Sequence, residues 1–398
     1  MNAEATGTAG VDLRDGGAKV VAGERMMMER LRARQVGLLM GDLTPGPLNT
    51  ITDVAGVRVG HTTLIAGEGP LVPGQGPVRT GVTVILPHGA NLFREKVPAA
   101  VHTINGFGKA CGFEEVRELG VIEAPIALTN TLNVGLVADA LVQHAVRQSP
   151  EIGISTSSVN VVVGECNDGF LNDLQGRHVR GEHVWAAIDG ATSDPVPEGA
   201  IGAGTGTQCF GWKGGIGTAS RVLSAEAGGF TVGALVQSNF GRPQDLTILG
   251  IPVGRHLQPL GPAKPPAQEK GSVMIVLATD APLDARQLRR LCVRAAVGLA
   301  RTGSHHMHGS GDFVIAFSTA YRIEHTPASL TVLRPVLADE PTVMGGLFPA
   351  VAECVEEAIL NSLFRAETVI GRDGNTRYAL PLEEVIAPIR KCRPEVFA

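Results

Sequence analysis

The sequence predicts an α/β fold of stacked sheets with helices on the outside. Three observations point there. Short aliphatic runs that read as strands alternate with helical segments in places and elsewhere follow one another directly, which favours packed sheets over a simple doubly wound one. Hydrophobic residues make up 44% of the chain but aromatics only 4%, so the core must be aliphatic. The 51 glycines and 25 prolines are spread over 398 residues without a repeat, a mark of many strands and tight turns rather than low complexity. This length gives one large or two medium domains with a substantial core.

Residues 1–23 are rich in Ala, Gly, Asp and Thr and read as disordered, within a partly disordered N-terminal extension over 1–40. Residues 24–39 can form a helix, and the three methionines at 26–28 leave the true start codon open. Residues 44–54 are rich in turn formers. Strands are expected at 57–61, 80–86 and 124–129. Residues 92–118 are mixed, with a loop at 105–108. Residues 133–148 form an amphipathic helix, with Leu136, Ala140, Leu141 and His144 on one face. A strand at 158–164 ends in a turn at 165–169 that carries two carboxylates. Further strands are expected at 231–237 and 248–253.

Residues 261–271 read as an exposed loop of Pro, Lys, Gln and Gly. The run 273–279 that follows is β-branched and almost free of polar residues, so it reads as a strand buried on both faces. A helix at 283–301 is lined by Leu288, Leu291, Cys292, Ala295 and Leu299. A loop at 303–311, a buried strand at 313–317, a helix at 347–364 and a tight turn at Asp373-Gly374 complete the chain.

Composition also excludes partners. The formal net charge is −5 with no basic stripe, which argues against nucleic acid. No segment reaches 18 consecutive apolar residues, so no membrane span is expected, and residues 36–40 are too short for an export signal. Cys111, Cys166, Cys209, Cys292, Cys354 and Cys392 lie far apart with no C-x-x-C pair. They read as reduced cysteines of a cytoplasmic protein.

Several motifs compete for the chemistry. Gly202, Gly204 and Gly206 lack the G-x-G-x-x-G spacing of a dinucleotide site, so close packing is the better reading. His305, His306 and His308 form the only histidine cluster. Adjacent histidines rarely converge on one metal, and no cofactor or metal is expected. Ser310-Gly311-Asp312 puts a hydroxyl and a carboxylate at a strand mouth, either as a hydrogen-bonded relay or as an ordinary turn. The junction Gly271-Ser272 offers more. A serine between a flexible loop and a buried strand can attack the preceding carbonyl, which glycine leaves open to approach. Hydrolysis of the resulting ester frees an α-amine on Ser272, which titrates near pH 7.7–8.0 and can activate the adjacent hydroxyl. An ordinary loop-to-strand junction has the same sequence.

Five stretches together resemble the L-aminopeptidase/D-esterase (DmpA-like) family, which includes the β-peptidyl aminopeptidases. They are residues 44–61 (TPGPLNTITDVAGVRVGH), 76–83 (GPVRTGVT), 128–135 (LTNTLNVG), 271–283 (GSVMIVLATDAPL) and 309–319 (GSGDFVIAFST). The resemblance implies a four-layer αββα sandwich like that of N-terminal nucleophile hydrolases but differently connected. It implies self-cleavage between Gly271 and Ser272 into a large chain, 41–271 after the extension, and a small chain, 272–398. Ser272 then matches the nucleophile, Ser310 and Asp312 the second serine and its acid (Glu in some members), and Asn239 the oxyanion donor. Glu165 matches a carboxylate near the substrate's amine. Asn167 stands where some members carry a tyrosine that helps bind the substrate or the oxyanion, a departure from the family's pattern.

The expected function is therefore an aminopeptidase acting through a Ser272 acyl-enzyme on a small peptide, amide or ester with a free amine. The base is either the Ser272 amine or the Ser310/Asp312 pair. A homo-oligomer, a tetramer of cleaved pairs, is expected. The rivals are a non-catalytic small-molecule binding or assembly protein on the same fold, and a metal hydrolase using the three histidines.

Overall fold

The computed structural model describes residues 30–257, 259 and 270–397. The disorder expected over 1–23 and most of the loop expected over 261–271 lie outside these residues. The elements in order are β1 (Arg58–Ala66), β2 (Val78–Leu86), β3 (Glu95–Gly106), α1 (Phe113–Leu119), β4 (Val121–Ile122), β5 (Ile126–Asn130) and α2 (Val134–Gln148). Next come β6 (Val162–Cys166), α3 (Gly181–Asp189), β7 (Gln208–Cys209), β8 (Trp212–Lys213), β9 (Ile216–Val222) and β10 (Thr231–Asn239). The remainder is β11 (Lys270–Thr279), α4 (Ala285–Arg301), β12 (Gly309–Ser318), β13 (Ile323–Glu324), α5 (Glu340–Phe364), β14 (Val369–Ile370), β15 (Thr376–Arg377) and α6 (Leu382–Cys392).

Two sheets dominate. A four-stranded sheet runs β1-β2-β5-β6, and a seven-stranded sheet runs β13-β3-β12-β11-β10-β9 with β4 on β3. Strand alternation explains how they stack. Along β11, Val273, Ile275 and Leu277 join a core with α4 and α5, whereas Met274, Val276 and Ala278 pack against Ile85, Leu128 and Val162 of the other sheet. The far face of the smaller sheet is covered by α2 and α3 through Val82, Val84, Val137, Leu141 and Val184. The layers are thus helix, sheet, sheet, helix: an αββα sandwich. Because β11 is buried on both faces, its sequence shows no polar alternation.

The structure departs from several expectations. In place of the helix over 24–39, the described part holds one 3₁₀ turn, Arg34–Val36, and Ala33, Leu38 and Met40 are fully buried in the core. That portion of the N-terminal extension is therefore built into the domain. No strand forms over 248–253, where Pro252 follows an isolated Ile248–Ile251 bridge. On α2 the buried face is Val137, Ala140, Leu141 and Ala145, with His144 half-buried beside it. The glycine cluster is close packing. A Cβ on Gly204 would lie 2.5 Å from the Ile216 nitrogen, and one on Gly206 2.1 Å from the Arg79 carbonyl oxygen. No helix among the described residues is long and apolar enough to cross a membrane.

Candidate active site

Three adjacent strands of the larger sheet bring the polar residues together. β10 runs antiparallel to β11 with Asn239 opposite Ser272, and β12 runs parallel to β11 with Ser310 opposite Gly271 and Gly311 opposite Ser272. Residues far apart in sequence thereby meet at one end of the sheet. Ser310 and Asp312, expected before the strand at 313–317, are members of β12 itself.

The pleat then sorts them by face. Ser272 and Asn239 share the period of Met274 and Leu235 and look inward toward the smaller sheet. Gly271, Ser310 and Asp312 take the opposite face. Asn239 Nδ2 donates to Ser272 Oγ at 3.0 Å, and both residues are buried. The Asn239 Oδ1 accepts the Gln208 backbone N–H at 3.2 Å. A main-chain N–H can only donate, so this contact fixes which end of the amide faces the serine. From the smaller sheet the Cys166 thiol approaches the Ser272 hydroxyl and donates to the Gln237 carbonyl at 3.3 Å. Burial pushes that thiol well above its ordinary range, so it stays protonated and is no competing nucleophile.

On the other face, Ser310 Oγ donates to Asp312 Oδ1 at 2.5 Å, and both groups are buried. A Cβ on Gly271 would lie only 3.0 Å from Ser310 Oγ. The second serine therefore lies against the residue that precedes Ser272. No hydrogen bond joins Ser310 to the Ser272 hydroxyl among the described residues, because the two side chains leave the sheet on opposite faces.

Glu165 was expected in a turn but belongs to the last residues of β6, as does Cys166. Its Oε1 accepts the Lys109 N–H at 3.0 Å, and its Oε2 accepts the Thr131 hydroxyl. Burial raises its pKa, and those two hydrogen bonds act against the rise. Gly108 is what lets this loop close over the site. A Cβ there would lie 2.7 Å from the Phe313 ring and 3.4 Å from Glu165 Oε1. Asn167 does not join the group. It is exposed, its Oδ1 caps the Gly169 N–H at 3.0 Å, and it lines a separate cavity of about 300 Å³ with Asn172 and Arg372.

No group of three His, Cys, Asp or Glu side chains is placed to hold a metal among the described residues. Sequence reasoning gave no role to Thr131, Gln208 or Lys213. Thr131 lies within a stretch already singled out at 128–135. Lys213 is fully buried and donates to the carbonyls of Gly204 and Thr207 at 2.8 Å and Gly214 at 2.5 Å, clamping the hairpin that carries Gln208. Burial pulls its pKa down to about 7. Only the backbone contacts reveal that role.

This geometry suits acyl transfer: a buried serine with an amide donor, a hydroxyl–carboxylate pair across the strand, and a carboxylate in the facing sheet. The sequence profile of peptidase family S58 matches residues 49–377. The chain is 42% identical over 374 residues to the β-peptidyl aminopeptidase BapA of Sphingosinicella xenopeptidilytica, covering 91% of each chain. Its fold is similar to the crystal structure of the PH0078 protein from Pyrococcus horikoshii OT3, with a TM-score of 0.85, 51% identity, and 91% and 99% of the two chains covered. It is also similar to the L-aminopeptidase D-Ala-esterase/amidase of Ochrobactrum anthropi, described as a prototype serine aminopeptidase and a variant of the Ntn hydrolase fold. That match has a TM-score of 0.81 and 38% identity, and covers 92% and 99% of the chains. With the profile spanning most of the chain and a relative this similar over nearly its whole length, the protein belongs to peptidase family S58 and is a serine aminopeptidase.

Proposed function

We propose that the chain cuts itself between Gly271 and Ser272 and that the freed Ser272 then hydrolyses small amides, peptides or esters bearing a free amine. The observation that carries this reading is the Asn239 Nδ2 to Ser272 Oγ contact at 3.0 Å, formed at the mouth of β11 directly after Gly271. In the first reaction Ser272 Oγ attacks the Gly271 carbonyl carbon. The C–N bond breaks as the new ester forms, the nitrogen takes a proton to become the Ser272 α-amine, and water hydrolyses the ester. In turnover the α-amine removes the hydroxyl proton, Oγ attacks the substrate carbonyl, and Asn239 Nδ2 donates to the developing oxyanion. The leaving amine departs protonated, and water releases the acyl group from Ser272.

The opposite-face arrangement supports assigning the base to the α-amine. Ser310 adjoins Gly271 and is hydrogen-bonded to Asp312, on the side where the cut bond leaves its nitrogen, so the pair is suited to stabilise and relay the proton of that amine. Glu165 is the partner for the substrate's ammonium. The activities named for the relatives, toward β-peptides and toward L-aminoacyl and D-Ala substrates, support a small acyl group.

The cleaved pair assembles as a homo-oligomer, a tetramer, in this reading. Residues 326–336 are all exposed and hold Leu330, Val332, Leu333 and Val336 in solvent, which supports a covered surface there. All six cysteines are free, which fits a cytoplasmic location.

Intact-mass analysis tests the core of the reading. Wild type should give chains of 271 and 127 residues, apart from N-terminal trimming, while Ser272→Ala remains a single inactive chain. A wild type that stays uncut and still hydrolyses peptides overturns it.

A further inference from the structure

The histidine-rich loop between α4 and β12 contains one side chain that reaches this machinery. His306 Nδ1 lies 3.4 Å from Asp312 Oδ2, while Asp312 Oδ1 accepts the Ser310 hydroxyl at 2.5 Å. The buried carboxylate is thus held from both ends, by an imidazole on one oxygen and a hydroxyl on the other. A carboxyl group gripped at one oxygen only can rotate about its Cβ–Cγ bond; a second donor removes that freedom.

The loop is built to present this ring. His306 has φ +48°, the left-handed region that a residue with a Cβ seldom occupies. Such backbone persists where its surroundings over-determine it, and here they do. Asn105 Nδ2, at the end of β3, donates to the carbonyls of Met307 at 3.1 Å and His308 at 3.2 Å, and also to that of Ser310. The Ser310 N–H closes back on the Met307 carbonyl at 2.8 Å. His308 instead lies against Phe107, with ring centroids 6.3 Å apart.

We propose that His306 is the positioning residue of the proton-relay pair: it orients Asp312 so that Oδ1 faces Ser310. This rests on the role given above to Ser310 and Asp312, and it adds a third member drawn from outside their strand. His306 is about a quarter exposed and touches neither Ser272 nor Gly271 among the described contacts, so its effect must pass through Asp312.

Steady-state kinetics of the self-cleaved enzyme on alanine p-nitroanilide tests the idea with three variants. His306→Ala should lower kcat about tenfold, the loss of one hydrogen bond to a charged group. KM should stay within about twofold, since amine recognition at Glu165 is untouched. His306→Asn should recover most of the rate, because its Nδ2 can donate from nearly the position of Nδ1 and asparagine tolerates left-handed backbone. A purely structural loop residue would not give rescue confined to kcat. Wild-type kcat in His306→Ala, or an Asn variant no better than the Ala variant, overturns the proposal. Ser310→Ala measured alongside separates the cases: a normal rate there removes the relay itself, whereas a slow Ser310→Ala beside a normal His306→Ala removes only the role of His306.

Discussion

At the scale of single residues, the most informative is Glu165. Its carboxylate is buried, with one backbone and one hydroxyl donor and a raised pKa. An ammonium ion that binds there needs the ionised form. Log kcat/KM of the wild type should therefore fall on the acid side with a slope approaching about two, one proton for Glu165 and one for the Ser272 amine. In Glu165→Gln the slope should drop to about one, because only the amine still titrates. At neutral pH the same variant should lose about 10- to 150-fold in kcat/KM, equivalent to about 1.5–3 kcal/mol for a charge-assisted hydrogen bond. Self-cleavage needs no free amine and should continue. Equal turnover of N-acetylated and free alanine p-nitroanilide by wild type would remove Glu165 as the amine partner. Asn239→Ala should cost about 10²–10³ in kcat, as loss of an oxyanion donor does elsewhere. Ser310→Ala and Asp312→Asn should each slow hydrolysis by about two orders of magnitude or more if they handle protons, and near-normal kcat in both would return them to strand residues.

At the scale of elements, the site depends on β9 to β12 holding register against α5, and a buried ionic knot fixes that contact. Arg221 on β9 is fully buried and bonds Glu353 at 2.8 Å and Glu357 at 2.7 Å, both on α5. Arg34 joins Glu357 at 2.9 Å, and the Met40 carbonyl accepts from Arg221, so residues 34–40 are tied into the same knot. Arg221→Leu leaves Glu353 buried without a cation and Glu357 with Arg34 alone, and should destabilise the fold by about 3–5 kcal/mol in denaturant titration. A change below about 1 kcal/mol would mean that the carboxylates are neutral or solvated there. The sequence signalled the elements unevenly. Helix α4 announces itself by its period, and the structure adds an Asp284 cap, whose side chain accepts the Gln287 N–H at 2.7 Å. Strand β3 went unseen because Pro98, His102 and Asn105 interrupt its run, although its pairing with β12 bridges the irregularity at Asp312/Phe313 with a shift in register.

At the scale of the whole molecule, the aliphatic run at 326–336 predicts association. Leu330 and Leu333 are as exposed as in an extended chain, which is rare for a lone subunit in water. Sedimentation should give a mass near four times 41.5 kDa at micromolar concentration, and Leu330→Ser with Leu333→Ser should lower it. A single 41.5 kDa unit in the wild type would refute the assembly.

The layered fold and the class of reaction were readable along the chain because each is carried by local pattern: aliphatic runs of strand length for the one and specific short stretches for the other. What the sequence left open was which of two groups serves as base, since Ser310 and Asp312 are near Ser272 in either case. Only the parallel pairing of β11 with β12 decides their faces. The pleat puts Ser272 with Asn239 on the inner side, and Gly271 with Ser310 and Asp312 on the other. Likewise Lys213, Gln208 and His306 act through backbone carbonyls, a backbone N–H and a carboxylate brought close by folding. Contacts of that kind leave no period or spacing in the sequence, because the groups they join are set by tertiary geometry and not by the residue types alone.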